Sequence, residues 1–100
     1  MKFHLDDKLK KHMKDENKQD LVLDIRLCNT WAGTLKEVSA RFAEEHETDL
    51  ESKGFKKGES DLGSIYYKPE DIVFGPQPGL KLLTFWWAKH ILALDMRPAA

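Results

Sequence analysis

The sequence predicts an α+β domain, mostly β, with one principal helix near its N-terminus. Three observations carry this. Leu5, Leu9 and Met13 fall at i, i+4 and i+8 in an otherwise charged stretch, the spacing of a helix with one buried stripe. Residues 21–28 alternate with a period of two, as a strand does. Short β-prone runs separated by Gly and Pro fill the second half. One hundred residues, 41% of them hydrophobic, is enough for one core and one domain spanning 1–100.

Lys2–Leu5 reads as a short strand. Asp6 or Asp7 then caps a helix running to about Asn17, with acid first and lysines later, as the helix dipole prefers. Residues 16–20 are a polar turn. The next strand sets Leu21, Leu23, Ile25 and Leu27 on one face and Val22, Asp24, Arg26 and Cys28 on the other. Asn29, Thr30, Trp31, Ala32 and Gly33 read as a loop, with Gly33 its flexible point.

Residues 34–50 carry two signals. Thr34 and Glu37 match a capping box, and Leu35, Val38 and Phe42 a helical stripe. Val38, Ala40 and Phe42 also alternate as a strand against Glu37, Ser39 and Arg41, although local propensity favours helix. Residues 64–68 are β-prone, 72–74 are a short apolar run, and 75–79, Gly-Pro-Gln-Pro-Gly, read as a turn or loop. Residues 80–86 and 90–95 read as strands joined through Trp87, Ala88 and Lys89.

Charge bounds the function classes. Sixteen basic and 17 acidic residues leave a net charge of −1, which argues against nucleic acid as a partner. The N-terminus has no signal-peptide pattern, and charges at Lys81, Lys89 and His90 interrupt the longest apolar stretch, so no membrane role is expected. One cysteine excludes an internal disulfide framework and reads as an intracellular, cytoplasmic chain. Lysines at 8, 10, 11 and 14 and acids at 44, 45, 47, 49 and 51 read as two solvated faces.

Cys28 is the one side chain with obvious reactive chemistry. It reads either as a small buried hydrophobe or as a thiolate for metal, sulfur or oxidants. Arg26, on the same face, favours the thiolate, and Asp24 opposes it. His4, His12, His46 and His90 lie at no ligand spacing and read as surface or packing residues. No nucleophile elbow or phosphate-cradling glycine loop is present, and a non-enzymatic protein is expected. Were Trp86 and Trp87 in a strand, they would point to opposite faces, one to the core and one, with Phe85, to a protein interface.

KFHLDDKLKKHM at the start, LVLDIRLCNTWAG at 21–33, GSIYYKPE at 63–70 and LKLLTFWWAKHILALDM at 80–96 together form a pattern that resembles the HesB-like family, the fold of the A-type iron–sulfur carriers. The resemblance implies small mixed sheets or a sandwich with one principal helix, and a strand within 35–42. It also implies an iron–sulfur cluster or iron as cofactor, with Cys28 as metal or sulfur ligand and Arg26, Asn29, Thr30, Trp31 and Gly33 around it. The family's C-terminal Cys-Gly-Cys pair is missing, so two of its three ligands are absent and a homodimer brings only a second Cys28. A thiol redox or persulfide site at Cys28, and a cofactor-free interaction module using Trp31, Trp86 and Trp87, are the other readings.

Overall fold

The computed structural model describes residues 1–99, with Phe85 described for its backbone alone. The chain forms β1 (Lys2–Leu5), α1 (Asp7–Asp15), β2 (Leu21–Thr30), β3 (Gly33–Phe42), a 3-10 turn (Glu51–Lys53), β4 (Lys56–Ser60), β5 (Ser64–Tyr67), β6 (Ile72–Phe85) and β7 (Ala88–Pro98). The strands close into a barrel in the order β1-β4-β5-β2-β3-β7-β6. Strand accounts for 58% of the chain and helix for 12%.

This corrects the expected fold class. An α+β arrangement of small mixed HesB-like sheets or a sandwich is not what forms; one closed seven-stranded barrel is. The closure depends on β1, which runs parallel to β4 on one side (Lys2 with Glu59) and to β6 on the other (His4 with Gly79). Four residues leave too little local signal to reveal those two parallel partners.

The inward faces supply the core. Leu21 and Leu23 from β2, Val38 from β3, Ile65 and Tyr67 from β5, and Leu80 and Leu82 from β6 meet Phe3 and Leu5 of β1. The rings of Phe3, Tyr67 and Phe74 pack edge to face at 5.0–5.9 Å between centroids, the arrangement their quadrupoles favour. Helix α1 closes one end. Asp6 caps it, accepting from the Leu9 N–H at 2.8 Å and from the Leu82 N–H at 3.3 Å, so one carboxylate ties helix to barrel. Leu9 and Met13 are fully buried against the core.

The expected helix is borne out, ending at Asp15 with Glu16 as C-cap. The strand expected within 35–42 is borne out as β3, against the capping-box signal. Ten paired positions with β2, from Leu21–Phe42 to Thr30–Gly33, outweigh local propensity.

Three expectations need correction. The Asn29–Gly33 loop is a two-residue turn: Asn29 and Thr30 belong to β2, Gly33 opens β3, and only Trp31 and Ala32 lie between. The Gly-Pro-Gln-Pro-Gly turn lies inside β6 as a bulge, where the register with β7 shifts between Phe74 and Gly79. Opposite it, Asp95 adopts φ 56° and accepts from the Gln77 N–H at 2.7 Å. Trp86 and Trp87 are not on a strand with one in the core; they form the turn of the β6–β7 hairpin, and Ala88 and Lys89 already belong to β7.

Candidate functional site

Two hairpins and the seam between them carry the unusual surface chemistry. β3 and β7 run antiparallel and meet at one bridge pair, Ser39 with Leu92. Each hairpin turn precedes one of these strands, so the two turns point to opposite ends of the barrel. The β6–β7 turn lies at the helix-capped end, because β6 runs parallel to β1, which leads into α1.

The β2–β3 hairpin outgrows the barrel. β5 pairs with β2 at Leu21 and Val22. Ile25 and Lys36 still line a small cleft with Glu70, Asp71, Pro98 and Ala99. Beyond them the two strands continue as an arm bonded to each other. Residues 27–35 contain no acidic or basic side chain. Leu27 is 64% exposed, Leu35 59% and Trp31 100%. The turn is internally braced: the Thr30 hydroxyl donates to the Gly33 carbonyl at 2.8 Å and accepts from the Ala32 N–H at 3.2 Å, while the Thr34 hydroxyl donates to Asn29 Oδ1 at 3.1 Å. Gly33 takes φ 122°, which side chains rarely adopt.

Cys28 is half-buried on the outer face of this arm, opposite Leu35 and on the face of Arg26 and Glu37. Arg26 donates to Glu37 from both Nε, at 2.8 Å, and Nη2. The neighbouring Cys28 and then Arg26 hold the Glu37 carboxyl below the usual carboxylate range. The arginine expected to act on the sulfur is thus held by Glu37, and the nearby Cys28 also contributes to keeping its guanidinium charged. Among the described residues no three His, Cys, Asp or Glu side chains gather as a metal-binding group.

Along the same outer face, Arg41 joins two acids. It donates to Asp24 Oδ2 at 3.0 Å and to both Glu47 oxygens, at 2.5 and 2.8 Å. Arg41, with help from the Glu44 N–H, lowers Glu47 to about 2.

Between β3 and β7, towards the helix-capped end, a cleft of about 300 Å³ opens. Its floor is apolar: Ala40, Phe42, Leu82 and Ile91. Its rim is His12, Arg26, Arg41, Lys89 and His90. The His12 ring lies 5.5 Å from that of Phe42. Sequence reasoning singled out Arg26 for another purpose and took His12 and His90 as ordinary residues. The rim draws on four separate elements, so only the barrel closure assembles it. Beyond the cleft stand Trp86, 76% exposed, and Trp87, 87% exposed, with their rings edge to face at 6.0 Å. The Phe85 side chain, expected at the same contact, lies outside the described residues.

Fold and surface together define a small β-barrel bearing an aromatic-tipped hairpin at each end. Comparison of the chain with protein-family models, curated proteins and solved structures finds no match, and so gives the HesB-like resemblance no support. Among the described residues, no helix is long and apolar enough to cross a membrane.

Proposed function

We propose that this protein is a non-enzymatic interaction module that self-associates through the β2–β3 arm. One observation carries the reading: the arm leaves the barrel with an open β2 edge and an uncharged, apolar tip. Unpaired edge N–H and C=O groups are a template for another strand, and proteins usually blunt them with charge or proline. Residues 27–30 of β2 contain neither. A two-stranded ribbon is marginal alone and gains from a third strand.

The occupant is a second copy, paired antiparallel along β2 about Cys28. Such pairing uses residues 26–30 of both chains and opposes no like charges. It carries Trp31 past the partner's Ile25, covering an exposed ring. It also sets Cys28 beside the partner's Cys28, at a separation a disulfide can bridge. This keeps the homodimer expected from sequence and gives it a surface.

The iron–sulfur, iron or thiol-redox role has no specific observation in its favour. A self-paired arm supplies two thiols, half of a four-thiolate set.

Sedimentation velocity across a hundredfold concentration range, with diamide oxidation, tests the proposal. The expected result is a reversible dimer that diamide traps in a reducible, Cys28-dependent covalent form. A protein that stays monomeric throughout and yields no covalent dimer overturns it.

A further inference from the structure

We infer that the cleft between β3 and β7 binds a small carboxylate with an apolar body. Past the Ser39–Leu92 bridge the two strands part, and inward-facing side chains that would otherwise be sealed become the floor of an open cleft. An apolar floor exposed to water favours an occupant that covers it. The rim carries the opposite character. Its five side chains are all cationic or protonatable to a cation, and no acid lines the cleft.

The rim groups are held to different degrees. Arg26 and Arg41 are fixed in place by Glu37, Asp24 and Glu47. Their charge is thereby largely balanced, and they serve as positioned N–H donors. Lys89 and His90 have no acidic partner among the described residues, and both are exposed. An anionic group entering beside Lys89 gains a charge-assisted hydrogen bond that the protein does not itself satisfy. The size limits the occupant, since about 300 Å³ is the low end for ligand sites. One acidic head on a short apolar chain or a single ring meets both conditions. Inorganic phosphate satisfies only the rim, and a neutral alcohol only the floor.

The test is a titration of the ¹⁵N-labelled full chain with sodium octanoate, followed by amide shifts, with inorganic phosphate and octanol titrated in parallel. The expected result is saturable binding of octanoate, with the largest shifts at His12, Phe42, Leu82 and residues 89–91. Lys89→Glu and Lys89→Gln should each weaken it at least fivefold, whereas Lys36→Glu, outside the cleft, should leave it unchanged. The free spectra of the variants establish that they fold. Shifts that do not saturate, that miss the cleft, that survive both Lys89 changes, or that phosphate or octanol reproduces at equal strength overturn the inference. Only Arg26 is common to this rim and the self-pairing strand, and Lys89, the residue varied here, lies at the opposite end of the barrel from the arm's tip, so loss of self-association leaves the result readable.

Discussion

Trp31 and Trp87 crown hairpins that point to opposite ends of the barrel, a consequence of the antiparallel meeting of β3 and β7. One flat contact surface on a single chain therefore cannot include both. The self-association proposed for the arm separates their roles. Trp31→Ser should weaken the dimer by at least about tenfold, in keeping with the loss of an anchoring tryptophan. Trp87→Ser should leave it unchanged. Sedimentation equilibrium of the two variants measures both.

Glu47 ties acid stability to a single arginine. Its carboxyl titrates at about 2 when folded, against about 4.3 when unfolded. A group lowered on folding stabilises the protein above its unfolded value, and that contribution disappears as pH falls through the folded one. Stability should thus decline from about pH 5 to about pH 2, and Glu47→Gln should flatten that part of the curve. Urea midpoints for both proteins at pH 3 and pH 6 provide the check.

Gly75 faces the Asp95 carboxylate so closely that an added Cβ would overlap it. That carboxylate also accepts from the Gln77 N–H across the β6 bulge. Gly75→Ala should cost about 1–3 kcal/mol through overpacking and the displaced bond. Asp95→Asn, which is nearly isosteric, should cost less. Thermal unfolding of the two variants ranks them.

Asp6 should matter more than an ordinary N-cap. Removing a capping carboxylate costs about 1 kcal/mol, and here the same oxygen also receives the Leu82 N–H. Asp6→Ala should therefore exceed that figure, reaching about 2 kcal/mol, while Asp6→Ser should recover most of it. Chemical denaturation measures the difference.

Much of this architecture is legible in the residues, for identifiable reasons. The stripe of Leu9 and Met13 and the alternation of 21–28 report local periodicity, and both elements form where that periodicity places them. At 34–42 two periodicities coincide, and a long-range partner decides between them. Gly75 to Gly79 carry every local mark of a turn, but pairing with β7 on either side keeps them in one strand as a bulge. Barrel closure rests on β1 meeting β4 and β6, contacts across more than fifty residues with no signature in any one segment. The cleft has the same origin: Arg26, His12 and Lys89 have nothing in common until the helix and the strands that carry them come together in the closed barrel. The outward face shared by Cys28 and Arg26 follows from strand alternation, whereas the capture of Arg26 by Glu37 depends on the register with β3.

The arm's open β2 edge is the centre of this account, and amide hydrogen exchange reads it directly. Exchange is followed for residues 26–30 at a dilute concentration and at one a hundredfold higher. If the arm pairs with a second copy, the β2 amides that β3 leaves unbonded become protected at the higher concentration, while the β6–β7 turn is unchanged. Equal exchange of those amides at both concentrations would contradict the account.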